Sequence, residues 1–174
     1  NPTLCFDSSN GSAEVFAHGG TGTYNYVWSQ GLNPNVNPVT DLSYGNVLVT
    51  VSDQNNCSVV VSGSVDRPDA LEVDFDVQDI LCFGGDTGEL TAIPSGGTGP
   101  YTFAWSNSET GPVIDSLLVG NYIVTVTDAN LCTVQGSNLV ISPNDEIILS
   151  LTQTETSCFG ETNGAANANA VGGA

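Results

Sequence analysis

The stretch GGTGPYTFAW, residues 96–105, combines a glycine-rich turn with alternating aromatic residues and decides the fold. A near copy, GGTGTYNYVW, occupies residues 19–28, and a third Gly-Gly pair begins at Gly172, so the phrase recurs with a nearly constant period. The glycines permit the positive φ of a tight reversal, and the alternation that follows is typical of a half-buried strand. The phrase therefore predicts a turn that leads into a strand carrying a tryptophan.

The cysteines keep the same spacing as the glycines. Cys-Phe pairs begin at Cys5, Cys82 and Cys158, and their steps equal those between the Gly-Gly pairs. A Val-Thr-Val segment followed by an Asp turn ends at Cys57 and returns one period later, ending at Cys132. Independent landmarks that share one period indicate a tandem array of repeats.

The landmarks divide the chain into three repeats. Residues 1–68 form repeat one, which lacks its first strand; residues 69–145 form a complete repeat two; residues 146–174 are the start of repeat three. Repeat two opens with strict alternation of apolar and acidic residues over residues 71–78, and repeat three opens in the same way. We expect the chain to be a window onto a longer protein.

The repeats are predicted to be all-β. Short strands of regular spacing, separated by Gly, Pro and Asn turns and with no helical period, predict tandem Ig/PKD-like antiparallel β-sandwiches of about 75 residues. Tyr122, at the start of a late strand, resembles a tyrosine corner. The tryptophans are interpreted as core residues, with sugar-stacking platforms as the alternative. The predicted structural core comprises Trp28, Trp105, Tyr101, Phe103 and Tyr122.

Small domains bury little surface, so five cysteines in a chain without Met or a zinc-like spacing indicate disulfides and an oxidising compartment. Two pairings keep the period. The favoured one staples each repeat to itself, Cys5–Cys57 and Cys82–Cys132, and leaves Cys158 unpaired by truncation. The alternative joins neighbouring repeats, Cys57–Cys82 and Cys132–Cys158. Stapling within a repeat is favoured because each domain can then fold without waiting for the next.

Charge excludes several classes of partner. Nineteen acidic residues face one basic residue, Arg67, and the net charge is −18. Nucleic acid is excluded as a partner, because its affinity comes largely from Lys and Arg that neutralise phosphates. Membrane insertion is not expected, because no run of about 18 apolar residues is present. The dispersed acids are interpreted as a solvated outer face.

The sequence contains no catalytic constellation. Its single histidine, His18, adjoins the first Gly-Gly pair and aligns with Ser95, so no Ser-His-Asp or Cys-His arrangement recurs. No metal site and no cofactor is predicted, and the chain is not expected to be an enzyme.

Calcium is an alternative to this prediction. Asp53 and Asp128 recur at one turn, and further carboxylates crowd the junctions between repeats, where oxygen ligands could meet. The favoured interpretation is that these residues serve turns, because no DxDxDG loop is present. The junction carboxylates are Asp66, Asp69, Asp145 and Glu146. Ser116, in Asp-Ser-Leu, resembles a short bacterial O-glycosylation signal.

The ordered series of motifs resembles the SprB repeat over essentially the whole chain. It consists of Cys-Phe-Gly from Cys82, the glycine-rich phrase from Gly96, and Gly-Asn-Tyr-Ile-Val-Thr-Val-Thr-Asp-Ala-Asn-Leu-Cys from Gly120. That repeat occurs in very large surface adhesins of Bacteroidetes, including a gliding-motility adhesin. The resemblance implies secretion by the type IX machinery, outer-membrane attachment partners and display on the cell surface.

These observations lead to one function and one alternative. The chain is interpreted as a repeat segment of a surface filament, a spacer with an adhesive role whose partners are neighbouring repeats and surface polysaccharide. Binding would then come from multivalency over many copies. The alternative is a carbohydrate-binding or spacer module of a secreted hydrolase.

Overall fold

The computed structural model describes residues 1–30, 35–143, 145–155, 157–160 and 162–173. All regular elements in these residues are β-strands with antiparallel pairing, so the predicted all-β sandwich fold is confirmed. The described strands are β1 (Gly11–Ala13), β2 (Asn25–Trp28), β3 (Val39–Leu42), β4 (Gly45–Ser52), β5 (Ser58–Val65), β6 (Glu72–Gln78), β7 (Gly88–Ser95), β8 (Thr102–Trp105), β9 (Val113–Leu117), β10 (Gly120–Thr127), β11 (Thr133–Val140), β12 (Ile148–Thr154) and β13 (Ala165–Val171).

The chain divides into two compact units. The first comprises Asn1–Val73, Pro94–Thr102 and Val126–Val134. The second comprises Asp74–Ile93, Phe103–Thr125 and Gln135–Ala174. The repeat boundaries drawn from the sequence, at residues 68 and 145, stay a prediction.

In the first unit, a three-stranded sheet of order β2-β4-β5 accompanies a two-stranded sheet, β1-β3. Along β4 the residues alternate, and those that face inward are apolar and β-branched, a type that packs well on a pleated surface. Gly11 lies where the sheets approach, because a Cβ at this position would be 2.5 Å from Cγ1 of Val65. The buried core consists of Trp28, Val39, Leu42, Val47, Val49, Val51 and Val65.

The next strands form two three-stranded sheets, of orders β6-β7-β9 and β11-β10-β8. The indole of Trp105 is 5% exposed, and the Phe75 ring meets its edge with centroids 6.1 Å apart and planes at 63°. Gly88 repeats the role of Gly11, because its Cβ would be 2.6 Å from Cγ1 of Val140. The same turn-and-strand phrase thus builds the same kind of core.

The sheet near Cys82 and the corresponding sheet near Cys5 differ in their first strand. The alternating segment before Cys82 forms β6 and pairs with β7, whereas the corresponding sheet near Cys5 has only β1 and β3 among the described residues. Near the chain's end, β12 and β13 pair in register from Ile148↔Val171 to Thr154↔Ala165, and both strands are exposed.

Both predicted disulfide pairings are wrong in this structure. The bond joins Cys5 to Cys132, with Cα atoms 5.8 Å apart, while Cys57, Cys82 and Cys158 are free and exposed.

The physical reason lies in strand direction. The backbone N–H of Thr3 donates to the carbonyl of Asp66, so Cys5 lies beside the end of β5, whereas Cys57 directly precedes its start. An eight-residue strand spans about 25 Å, far beyond the reach of a disulfide. The same separation holds for Cys82, because Ile80 donates to Ile141 beyond the end of β11 and Cys132 precedes that strand.

Candidate functional site

A buried carboxylate connects the glycine-rich turn to the turn that carries a cysteine. Oδ2 of Asp128 accepts from the backbone N–H of Thr98 at 2.9 Å. Its Oδ1 accepts from the backbone N–H groups of Asn130 and Cys132, both at 2.8 Å. Asp128 is only 3% exposed. The sequence marks this residue as either a turn former or a calcium ligand, and its oxygens are engaged by N–H donors of two turns.

The same arrangement, which we call the aspartate clamp, occurs one repeat earlier in the sequence. Asp53 accepts from the backbone N–H and the hydroxyl of Thr21, both at 3.1 Å. It also accepts from the backbone N–H groups of Asn55 and Cys57 at 2.9 Å. A clamp in each of two repeats indicates that it is a structural requirement of the repeat.

The clamp explains the Gly-Gly pair that opens each phrase. Gly20 and Gly97 have φ of 68° and 58°, which L side chains rarely adopt. A Cβ on Gly97 would also lie 2.9 Å from Oδ2 of Asp128, and one on Gly20 would lie 3.1 Å from Oδ2 of Asp53. Glycine is needed because the turn must press its backbone against the carboxylate.

The stability that the Asp53 clamp contributes depends on pH. The hydrogen bond from the backbone N–H of Cys57, helped by those from Thr21 and Asn55, lowers the pKa of Asp53 below its ordinary value of 3.8. A carboxylate with a lowered folded pKa stabilises the fold fully above the unfolded pKa, and this contribution is lost as pH falls through the lower folded value.

Asp53→Asn is therefore expected to lower the melting temperature at neutral pH, because an amide N–H would face a backbone N–H donor. The difference from the parent should shrink as pH falls below about 4, because the unfolded parent then binds a proton at Asp53, and the rest of the contribution is lost at the lower folded pKa. Melting curves measured from pH 7 to pH 2 test this, with the exposed Asp7→Asn as the matched control. A difference that stayed constant down to pH 2 would contradict a charged clamp.

The aromatic residues of the phrase also have defined partners. The hydroxyl of Tyr101 donates to the carbonyl of Gly96 at 2.6 Å, and Tyr24 donates to Gly19 in the same way. Phe103 lies on the same half-buried face of its strand as Tyr101.

The tryptophan rings do not offer a sugar-stacking surface. Trp28 and Trp105 are each 5% exposed, and their Nε1–H groups donate to the carbonyls of Val36 and Gly111 at 2.9 and 3.0 Å. Both therefore occupy the core, where the favoured interpretation of the sequence put them.

Tyr122 behaves as its resemblance to a tyrosine corner predicts. Its hydroxyl donates to the carbonyl of Leu118, four residues upstream, at 3.1 Å. This bond ties the start of β10 to the connection that precedes it.

Arg67, the single basic residue, has a structural role that sequence reasoning did not assign. Its guanidinium carbon lies 3.6 Å from the centroid of the Phe6 ring and 4.3 Å from that of Tyr44. Such stacking is worth about 0.5–1 kcal/mol at exposed sites and more when desolvated. The contact holds Phe6, and with it the Cys5 loop. The sequence does contain a signal for this role, because Arg67 is the single basic residue beside nineteen acidic ones.

The joint, by which we mean the contact around Cys5–Cys132 in the first compact unit, includes a second bond. Asn130 follows the clamp aspartate, and its Nδ2 donates both to the carbonyl of Leu4 at 3.0 Å and to Oγ1 of Thr98 at 3.1 Å. A covalent bond and a hydrogen bond from the same turn therefore hold the Leu4-Cys5 segment.

An apolar cavity of about 380 Å³ lies in the first unit. Phe16 and His18 line one side, and Val59 and Val61 of β5 line another. The predicted turn residue His18 is thus exposed at the cavity, beside the Asp53 clamp. The lining is mostly apolar and includes the aromatic rings of Phe16 and Tyr24, with His18 and Asp53 among its ionisable groups.

Ser116, the O-glycosylation candidate, is exposed on β9 with φ of 56°. Its hydroxyl donates to Oδ1 of Asp115 at 3.0 Å. The glycosylation itself stays a prediction.

Within the described ranges, no group of three or more His, Cys, Asp or Glu side chains could hold a metal ion. The junction residues Asp66, Asp69, Asp145 and Glu146 lie outside the buried core. No helix among the described residues is long and apolar enough to cross a membrane.

We expect calcium to act on this chain only as a screening ion, because the carboxylates of Asp53 and Asp128 already accept backbone N–H groups. CaCl₂ and NaCl at equal ionic strength should raise the melting temperature equally, because both screen the repulsion among nineteen acidic residues. A larger shift with millimolar calcium, titrating to saturation, would instead show a specific site.

Two parts of the sequence match a known family model. The SprB repeat model matches residues 1–33 and 75–110, and each match contains one Cys-Phe pair and one glycine-rich phrase. The resemblance to the SprB repeat is confirmed in both regions. No curated protein matches the chain. A solved structure, described as "Structure of amphioxus IgVJ-C2 molecule", has 14% sequence identity and a TM-score of 0.39, covering 80% of this chain and all of its own.

Proposed function

We propose that this chain of SprB repeats is a tension-resisting spacer in a large, secreted bacterial surface adhesin of the gliding-motility type. The observation that carries the proposal is the Cys5–Cys132 bond, which connects a loop of one repeat to a turn of the next. A spacer must keep its length under tension, and a disulfide that joins two repeats limits how far tension can extend the chain. Secretion by the type IX machinery and attachment at the outer membrane belong to the same proposal.

The bond limits how far the chain can be extended. It closes a loop with a sequence separation of 127 residues, and force applied outside the loop cannot unravel what lies inside. A fully extended chain spans at most about 3.3–3.6 Å per residue, so the bond withholds about 420–460 Å of chain from extension. Neighbouring repeats joined in this way would resist stretching.

The charge supports a spacer as well. With one cation against nineteen acids, copies of the repeat repel one another, which favours an extended and soluble array. Adhesion would then come from many weak contacts along the filament. Surface polysaccharide is the proposed partner for those contacts.

Single-molecule stretching tests the proposal directly. The oxidised chain, held by handles at both termini, is expected to extend about 420–460 Å less before its final stiffening than the reduced chain. Cys158→Ser should behave like the parent, because Cys158 lies outside the bond. Equal extension of oxidised and reduced chains would contradict a role in resisting tension.

The 380 Å³ cavity is the observation that favours the second candidate, a binding module of a secreted hydrolase. Under the spacer proposal, calorimetry with soluble oligosaccharides should show no saturable binding at one site. Stoichiometric binding that Phe16→Ser abolishes would favour the alternative.

A further inference from the structure

We propose that the outward face of the sheet β2-β4-β5 binds an uncharged polysaccharide laid across its strands, and that the outward positions of β8, β10 and β11 in the second unit form another such surface. We call these two surfaces the neutral faces. The inference rests on the proposed function and deepens it, because it assigns the polysaccharide contacts of the spacer to a surface and names their chemistry. It is carried by the placement of charge in a chain with nineteen acidic residues.

Strand register defines the neutral face of the first unit. Val27 lies opposite Thr50, and Thr50 lies opposite Val60, so the three form one row across the sheet. Residues directly opposite each other share a side of the sheet, and the alternate residues of β4 point into the core, so this row points outward. No outward position carries a charge or an aromatic ring. These positions are Asn25, Val27, Asn46, Leu48, Thr50, Ser52, Ser58, Val60, Ser62 and Ser64.

The second unit has the same composition at its own neutral face. Ile123 and Thr125 flank the buried Val124 of β10 and point away from the core. Nε2 of Gln135 donates to Oγ1 of Thr125 at 3.1 Å, which places these two side chains on one surface. The outward positions that belong to this unit are again uncharged: Ala104, Asn121, Ile123, Thr125, Gln135, Ser137 and Leu139.

The acidic residues of the second unit lie on its other sheet. Asp74 and Asp76 of β6, Glu89 of β7 and Asp115 of β9 all occupy outward positions of the sheet β6-β7-β9. Acids that served solubility alone would be spread over both sheets, because charge repels other copies from any side. The asymmetry therefore indicates that one surface is kept free of charge.

The polar side chains of the first neutral face have unused hydrogen-bonding groups. The side chains that bond to the backbone of β2 and β4 come from Asn35 and Ser29, which lie outside the face. In the described part of the chain, the Asn, Ser and Thr side chains of the face have no partner within the protein. The polar residues of the turns differ, since Thr21 and Asn55 use theirs internally.

This chemistry selects an uncharged, hydroxylated partner. An anionic polymer would need Lys or Arg, and a cationic partner would be drawn to the acidic sheet. The cores of protein interfaces are enriched in aromatic residues, Met and Arg, and the neutral faces contain none of these. Ser and Thr hydroxyls and Asn amides both donate and accept, as sugar hydroxyls do. The exposed Val27, Leu48 and Val60 add aliphatic area for the C–H groups of a sugar ring.

Binding to one neutral face should be weak and spread over the surface. Side chains on one face of a strand repeat at about 7 Å, and neighbouring strands lie about 4.8 Å apart, so the groups form a flat lattice. A short oligosaccharide would cover only part of this lattice, in agreement with the expected lack of saturable binding at one site. A long polysaccharide can engage several faces at once, which raises its overall affinity.

Native electrophoresis of the whole chain tests the proposal, in gels that contain galactomannan, which is uncharged, or alginate, which is anionic, at equal ionic strength. The face variant carries Thr50→Glu and Thr125→Glu, which place a carboxylate on each neutral face. The matched control carries Thr40→Glu and Thr91→Glu, which add the same charge on β3 and β7. A second face variant, Ser62→Glu with Ser137→Glu, changes only exposed positions and guards against misfolding of the first.

Galactomannan is expected to slow the parent and the control about two-fold or more relative to a gel without polysaccharide, because a long chain engages both faces. Both face variants should lose most of this retardation and still melt like the control, and alginate should not slow the parent. A parent that galactomannan does not slow would overturn the proposal, as would face variants that keep the retardation or equal slowing by alginate.

The outcome is separate from that of the experiments on the spacer. The stretching experiment reads only the Cys5–Cys132 bond, so either result can fail without the other. Phe16→Ser should leave the retardation by galactomannan unchanged, because Phe16 lines the cavity and is not part of a neutral face. Retardation that Phe16→Ser abolished would move the binding site to the cavity and overturn the assignment to the sheet.

Discussion

Replacing Cys5 with serine is expected to lower the free energy of unfolding of the first compact unit by about 4–5 kcal/mol. The bond closes a loop with a separation of 127 residues, and the loop entropy it removes from the unfolded chain is about 4.7 kcal/mol for about 100 residues. Domains are stable by only about 5–15 kcal/mol in total, so the variant should be close to unfolding at ambient temperature. Urea titration followed by tryptophan fluorescence, to which Trp28 of the first unit and Trp105 of the second both contribute, measures the loss.

A mutant cycle separates loss of the bond from loss of the side chain. Cys132→Ser should cost the same as Cys5→Ser, and the double variant should cost no more than either single one, because all three lack the same bond. Cys57→Ser and Cys158→Ser are the matched controls, since both thiols are free and exposed. If Cys5→Ser cost no more than these controls, the bond would contribute nothing to stability.

Residue patterns were enough to predict the strands but not the joint. Alternation of apolar and acidic residues over residues 71–78 predicted β6. The reason is local, because the side chains of a strand that covers a core must alternate. Periodicity also showed that the cysteines form two sets of equivalent positions. One set contains Cys5, Cys82 and Cys158, and the other contains Cys57 and Cys132.

Pairing between the two sets depends on information that a single repeat does not contain. Besides the two pairings considered from the sequence, a bond from the first cysteine of one repeat to the last cysteine of the following repeat also keeps the period, and this is the bond that the structure contains. Only strand direction decides among them, since Cys57 lies at the start of β5 and Cys5 beside its end. Topology of the sheets, which joins residues far apart in sequence, was therefore the missing step.

The aspartates illustrate a similar limit. Asp53 and Asp128 recur at one turn, and carboxylates in turns serve both as calcium ligands and as acceptors for backbone N–H groups. Sequence favoured the turn role, but the partner across the turn, Thr21 or Thr98, belongs to a different turn that lies far away in the sequence. The long-range half of the clamp could not be inferred from local propensity.

Trp105→Ala is expected to destabilise the second unit by about 3–5 kcal/mol, because it would remove a buried indole and leave a cavity. The ring is 5% exposed, meets Phe75 edge-to-face and donates to the carbonyl of Gly111 at 3.0 Å. Trp105→Phe should cost less, since it keeps most of the apolar volume and loses the hydrogen bond. Phe83→Ala, at a side chain 52% exposed, is the control for loss of an aromatic ring.

Trp28→Ala provides a matched comparison in the first unit and should cost less than Trp105→Ala. Both indoles are 5% exposed and each donates to a carbonyl, but Phe75 belongs to β6, a strand without a counterpart in the sheet β1-β3 among the described residues. Fewer contacts are therefore lost when Trp28 is truncated. Calorimetric melting of the two variants measures the difference. An unchanged melting curve for Trp105→Ala, together with loss of polysaccharide binding, would instead identify Trp105 as a ligand platform and contradict its place in the core.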